Sequence, residues 1–263
     1  MENNPTTIRE NGADASTSRQ KLLVNGIHKS YSGHNGTLEV VRDVSFGVPD
    51  GGTIAILGPS GCGKSTLMRI LVGFEQPDSG SVLVDHAPRT GANKDGILIS
   101  QQGSVFPWLT VRQNLMFGLG HASEAERSAI ADRYADLVGL KGFENSYPHQ
   151  LSGGMVKRVE LARALAVKPA ILFMDEPFSA LDSFTSLKLR KEFLRIMGEE
   201  RHTVVLITHD VEEAIHLADR IYVFSPRPTT IQATFEVPFP HPRRLSSPEA
   251  QSLKEAILRE LHL

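Results

Sequence analysis

The chain has 263 residues, of which 40% are hydrophobic and 22% charged, with a formal net charge of -2. That balance excludes a disordered or fibrous protein and suits one large α/β domain, alone or with a smaller inserted subdomain. Acidic and basic residues are interspersed, so there is no broad positive field to attract nucleic acid.

In chain order, residues 1–20 are rich in Asn, Thr and Ser and lack the apolar run of a secretory leader, so a flexible tail is expected there. Residues 21–240 carry the main domain. Short apolar runs at 53–57, 97–99, 170–174, 204–207 and 221–224, several separated by helical stretches, predict a largely parallel sheet with helices on its faces. The near-continuous run from Ala170 to Met174 suits a central strand covered on both sides.

Between Phe106 and Lys168 the strand signal fades. Ser123 and Glu126 have the spacing of a capping box, Ile130, Tyr134, Leu137 and Val138 share one helical face, and Gly139 is placed to end that helix. Residues 103–167 are therefore expected to form an inserted helical subdomain. Beyond Ser225 the chain turns Pro- and Arg-rich, and Ser247 and Pro248 open a last helix with Leu253, Ile257 and Leu261 on one face. Residues 241–263 read as an appendage packed on the core. No run approaches the roughly 20 apolar residues of a membrane-spanning helix, so a membrane role would go through a partner.

The sharpest chemical signal is Gly58-Pro59-Ser60-Gly61-Cys62-Gly63-Lys64-Ser65-Thr66, between a predicted strand and a predicted helix. Glycines let successive backbone N–H groups converge on phosphate oxygens, and the helix N-terminus adds the positive end of its dipole. Lys64 would reach the β- and γ-phosphates, and the Ser65 hydroxyl would ligate Mg2+. Cys62, the only cysteine, rules out an internal disulfide and points to a reducing compartment. It reads as a small loop filler, since no activating base is implied beside it.

Farther on, the apolar run through Met174 ends abruptly in Asp175 and Glu176. In a phosphoryl-transfer site the first carboxylate would hold Mg2+ and the second would polarise the attacking water; the alternative is the start of a solvated loop. Leu151-Ser152-Gly153-Gly154 opens a second glycine-lined helix, suited to an anion but without the lysine and metal ligands. A site shared by two chains would use both surfaces.

The ordered set GPSGCGKST, LSGG, ILFMDEP, SALD and THD resembles the ATP-binding-cassette family of transporter ATPases, over about residues 22–224. The resemblance implies an α/β nucleotide-binding fold with a mostly parallel central sheet, an antiparallel β subdomain and the inserted helical subdomain. It implies ATP and Mg2+ as ligands, and a head-to-tail homodimer in which Ser152, Gly153 and Gly154 of one copy cover the ATP on the phosphate loop of the other.

The same resemblance assigns roles residue by residue. Tyr31 is similar to the aromatic that stacks on adenine, with an ordinary strand tyrosine as the competing reading. Gln101 matches the glutamine that senses Mg2+ and the attacking water; Gln102 competes with it, but the spacing to Pro107 and Trp108 favours Gln101. Asp182 would bridge two subunits, His209 would contact the γ-phosphate, and Asp210 with Glu213 would cap the helix that follows.

VFPWLTVRQNL, Met155 after LSGG, ADRIYVFSPRP, the Pro-Arg tail and the final helix resemble the importer branch for nitrate, sulfonates, taurine and related solutes. That branch implies a separate transmembrane permease, an extracytoplasmic solute-binding protein acting indirectly, and a peripheral place on the cytoplasmic face of the inner membrane. Ser100 and Thr229-Thr230 depart from the branch pattern, at places where an aromatic and Gly-Arg are common. Phe106, Pro107 and Trp108 would meet a permease helix, or else Trp108 is buried within the helical subdomain. The rival readings are the ATPase of an exporter or lipid transporter, and a soluble cassette ATPase acting on nucleic acid or ribosomes. The latter usually carries a coiled coil or second cassette, which this chain lacks.

Overall fold

A computed structural model of the chain describes residues 19–33, 36–101, 103–120, 122–179 and 181–263. Most of the expected N-terminal tail, residues 1–18, lies outside the described residues, as does Gln102.

The strands in chain order are β1 (Gln20–Gly33), β2 (Gly36–Pro49), β3 (Thr53–Leu57), β4 (Ser79–Val84), β5 (Ala87–Pro88), β6 (Gly96–Ile99), β7 (Ile171–Asp175), β8 (Thr203–Ile207), β9 (Arg220–Phe224) and β10 (Ile231–Glu236). The α-helices are α1 (Lys64–Val72), α2 (Val111–Met116), α3 (Glu124–Leu137), α4 (Gly153–Ala166), α5 (Ser183–Glu199), α6 (Val211–Leu217) and α7 (Pro248–Glu260). They divide into two compact units, one joining the chain up to Asn93 with Thr203–Leu263, the other being Lys94–His202.

In the first unit β3 pairs in parallel with both β8 and β9, and β10 runs antiparallel to β9. Every residue of β8 is buried, as is β3 from Ile54 onward, as expected of strands covered on both faces. A second, antiparallel sheet has the order β2-β1-β4-β5. On β2 the residues Val44, Phe46 and Val48 are buried in alternation with more exposed neighbours, the period-two pattern of a sheet with one face inward. The apolar runs alone did not predict this sheet. Its register shifts at three places between Val24 and Ser30, which breaks the alternation along β1.

The final helix α7 packs on α6 and β10 through Ala250, Leu253, Ala256 and Ile257. Ser247 caps it, accepting from the Ala250 N–H at 3.3 Å, with Pro248 in the first turn. Burying Leu253 and Ile257 contributes about 2 kcal/mol each. Arg243, upstream, is buried and ties the segment down by donating to the carbonyls of Ile215 at 3.0 Å and Ala218 at 2.5 Å. Those are carbonyls at the end of α6, which a cation satisfies well. Desolvation lowers its pKa, while its ion pair with Asp219 at 3.2 Å opposes that.

In the second unit β6 pairs in parallel with β7, and both strands fall on the predicted runs to within a residue. Between them come α2, α3 and α4. The predicted capping box of Ser123 and Glu126 is present at α3, and Gly139 takes φ 68° just past its end. Ala131, Tyr134, Ala135 and Val138 form the buried face. Tyr134 donates to Glu200 Oε2 at 2.9 Å, and burial pushes its phenol well above the ordinary range.

Candidate functional site

The phosphate loop leaves β3 at Leu57 and enters α1 at Lys64. Gly61 and Gly63 have φ of 71° and 126°, in the left-handed region where only glycine is unstrained. A Cβ on Gly63 would also stand 2.8 Å from Val40 Cγ1. α1 starts from Gly63 with no side-chain cap, an arrangement in which a helix N-terminus can face an anion. Lys64 is only 7% exposed, and its ammonium donates to the carbonyls of Gly58 at 2.7 Å and Pro59 at 2.9 Å. The cation is thus held over the loop it would share with a phosphate. Cys62 is buried, with its sulfur 3.3 Å from where a Cβ on Gly58 would stand, which fits a packing role. Ser65 is exposed and Thr66 half-buried on the first turn of α1.

The same unit brings Tyr31 beside this helix. Its hydroxyl donates to Glu75 Oε1 at 2.6 Å and also bonds to Thr66; desolvation, then Glu75, raises its pKa. The residue is 39% exposed, with the Lys29 ammonium 5.4 Å from its ring centroid. His209 is exposed just past β8. Asp210 caps α6 as expected, accepting from the Glu212 and Glu213 N–H groups at 2.8 and 3.2 Å. Glu213 does not complete a capping box. Its Oε2 instead accepts from the Thr208 hydroxyl at 2.7 Å, because Glu213 is buried and turns toward the strand end.

In the second unit β7 ends at Asp175, and Glu176 follows with φ 47°, a backbone state that costs a non-glycine residue roughly 1 kcal/mol or more. The Ser179 hydroxyl and N–H both donate to the Glu176 carbonyl, at 2.9 and 3.3 Å, and hold that turn. Gln101 Nε2 donates to Glu176 Oε2 at 3.0 Å. The glutamine and the carboxylate singled out from the sequence are therefore in direct contact.

The Ser104 backbone N–H and Lys157 Nζ, the latter at 2.9 Å, both donate to the buried Glu160 of α4. Arg163 of α4 donates to the Ser104 hydroxyl. The helix that begins at Ser152 thus holds the segment just after Gln101.

Ser152 caps α4, accepting from Met155 N at 3.3 Å. Ser152 and Gly153 are exposed, and Gly154 is half-buried. Asp182 caps α5, its Oδ1 accepting from the N–H groups of Phe184 at 3.2 Å and Thr185 at 3.0 Å. The Thr185 bonds hold its carboxyl below the usual carboxylate range.

The family model described as ABC transporter matches residues 41–179, more than half the chain. A putative ATP-binding protein of Brucella abortus biovar 1 is 42% identical over 244 residues, covering 91% of this chain and 92% of that protein. The chain belongs to the ATP-binding-cassette family of transporter ATPases. This cassette is also 36% identical over 239 residues to an aliphatic sulfonates import ATP-binding protein of Bacillus cereus, covering 91% of this chain and 95% of the relative. Among solved structures it resembles the bacterial ABC transporter cassette MJ0796, solved as a dimer, with TM-score 0.73 and 29% identity over 83% of this chain and 99% of that one. A post-hydrolysis dimer of the same cassette bound to ADP and Pi gives TM-score 0.72. As a family member the chain is an ATP-binding, ATP-hydrolysing transporter subunit with the nucleotide-binding fold of such cassettes.

The Ser65 hydroxyl, the Asp175 carboxylate and the Gln101 amide oxygen, expected from the sequence to meet Mg2+, are each hard oxygens of the kind that ion takes. Among the described residues no cluster of three His, Cys, Asp or Glu side chains is placed to hold a metal. The open question over Trp108 is answered by its 69% exposure. It forms a patch with Phe106, 5.5 Å away, and with the exposed Phe117, 4.4 Å from Phe106, while Arg163 lies 4.9 Å over the Phe106 ring. Among the described residues no helix is long and apolar enough to cross a membrane. Sequence reasoning missed Glu160 and Arg163, which lie i and i+3 on a face with Val156 and Val159 and could have been flagged as charges on an apolar face. It noted Thr229 only as a departure from a pattern.

Proposed function

We propose that this cassette works as a homodimer that powers import of a small solute of the sulfonate, taurine or nitrate class through a separate permease. ATP is gripped by backbone N–H groups of the loop from Gly58 to Thr66, Pro59 having none, and by Lys64, with Tyr31 offering its partly exposed ring to the adenine. Ser152, Gly153 and Gly154 of the second copy seal the γ-phosphate, and Asp182 lies at the subunit boundary. Ser65, Asp175 and Gln101 would hold Mg2+, which would supply positive charge against the phosphates. Glu176 accepts the proton of the attacking water, Gln101 holds the Glu176 carboxylate by the bond already described, and His209 donates to the γ-phosphate.

The observation that carries this reading is the exposed start of α4. Apart from the adjacent residues and its own helix backbone, no described heavy atom lies within 4 Å of a Cβ position on Gly153, so this corner is open to the close approach of a partner. The sulfonate assignment is supported by the likeness to the import protein of Bacillus cereus. The exposed Trp108 and Phe117, with the half-buried Phe106 between them, suit a permease helix, which would place the subunit at the cytoplasmic membrane face with a solute-binding protein acting from the other side.

The test is Glu176→Gln with ATP: the reading expects a stable ATP-loaded dimer in solution, seen by mass, and a protein that stays monomeric at saturating ATP would overturn it. For the solute, deleting the gene should abolish growth on an aliphatic sulfonate as sole sulfur source. Unchanged growth there refutes that assignment.

A further inference from the structure

The Pro- and Arg-rich segment after β9 lies against the back of the phosphate loop. Thr229 is completely buried, and its hydroxyl donates to the Cys62 carbonyl within the loop. Its main chain is fixed from the other side, with the Thr229 N–H donating to the Val40 carbonyl at 2.9 Å and the Thr229 carbonyl accepting from the Arg42 N–H at 2.9 Å. The segment is also braced internally, since the Ser225 hydroxyl accepts from the Thr230 N–H at 3.0 Å and the Ser225 N–H donates to the Thr230 carbonyl at 3.1 Å. Thr229 is therefore a rigid post set between β2 and the loop.

The chemistry of one peptide unit gives that post a purpose. In a trans peptide the carbonyl and the N–H point in opposite directions. A hydroxyl that holds the Cys62 carbonyl against Thr229 turns the Gly63 N–H away from the strap, toward the open side of the loop, where a phosphate oxygen would sit. The space for error is small: a Cβ on Gly63 would lie 3.2 Å from the Thr229 oxygen and 2.8 Å from Val40. Gly63, at φ 126°, has no regular secondary structure to hold that peptide plane on its N-terminal side.

We propose that Thr229 is a positioning residue for nucleotide binding, orienting the Cys62–Gly63 peptide so that the Gly63 N–H faces the bound phosphates before ATP arrives. The proposal rests on the reading that the phosphate loop holds ATP, and it adds a residue that never touches the nucleotide. A preset amide contributes to affinity because binding does not have to reorient it.

The decisive comparison is Thr229→Val, which keeps the shape and removes the donor, against Thr229→Ser, which keeps the donor. In the full-length protein, Thr229→Val should weaken ATP binding and raise the KM for ATP by roughly five- to tenfold, the value of one hydrogen bond, with kcat within about twofold. Thr229→Ser should return the affinity to within about twofold of the parent. In the nucleotide-free protein the Gly63 amide resonance should shift and broaden in Thr229→Val as its peptide plane loses a fixed orientation, independent of any activity. A thermal melt of each variant separates lost folding from lost positioning. Equal affinity in Thr229→Val and the parent, or an equal loss in Thr229→Ser, overturns the proposal. Lys64→Ala run alongside tests the underlying reading: if that variant binds ATP normally, the loop itself is not the nucleotide site.

Discussion

Two helices in this protein begin with glycines, α1 after Gly63 and α4 after Ser152, and they are built for different purposes. At α1 the glycines are explained inside the chain: Gly61 and Gly63 occupy the left-handed region, and Gly63 is wedged against Val40 and Thr229. The loop is closed on itself, with Lys64 bonded to two of its carbonyls. At α4 the backbone is ordinary, Ser152 supplies the cap that α1 lacks, and Gly153 faces open space. Under the proposed function, the open corner at Gly153 is where the second copy would approach.

The sharpest way to break this comparison is to remove the chemistry and keep both corners. Glu176→Gln should lower ATP turnover by about 10³-fold while the ATP dissociation constant stays within a few-fold, read by steady-state hydrolysis and by nucleotide titration. Lys64→Ala attacks the α1 corner alone. It should weaken ATP binding by about 10²-fold, the scale of two charge-assisted hydrogen bonds to phosphate, measured by calorimetry.

The glycines themselves then separate the corners by stability. Gly63→Ala should destabilise the folded protein by about 2 kcal/mol, through the strain of a positive φ and the clash with Val40, lowering the midpoint of thermal unfolding. Gly153→Ala should raise stability slightly, by about 0.4 kcal/mol, because a helical alanine loses less chain entropy. In the proposed dimer it should nonetheless reduce turnover, since the added methyl would meet the second copy. A Gly153→Ala protein with full activity would mean that α4 seals nothing.

Much of this site was legible because its chemistry demands special backbone. Gly58 to Thr66 could be placed from spacing alone, and Asp175 and Glu176 stood out as charges ending an apolar run, where β7 indeed stops. The contact between Gln101 and Glu176 was not legible, since it spans 75 positions and depends on how two loops fold back. The strands β1 and β2 were hidden for another reason: half-buried strands with bulges scatter their apolar residues, whereas β3 and β8, buried on both faces, spell theirs out. Glu213 misled because its spacing from Asp210 satisfies a capping box, while burial drew its side chain to Thr208. Thr229 could not be read at all from sequence. A buried threonine bonding a carbonyl 167 positions away leaves no local trace.

The left-handed turn at Glu176 has a consequence for anyone engineering this protein. A large acidic side chain is being kept where glycine or asparagine would rest more comfortably, so replacing it should make the molecule harder to melt even as it falls silent. Screens that select for heat resistance will therefore drift toward inert variants at this position, and durability alone is a poor guide to a working transporter motor.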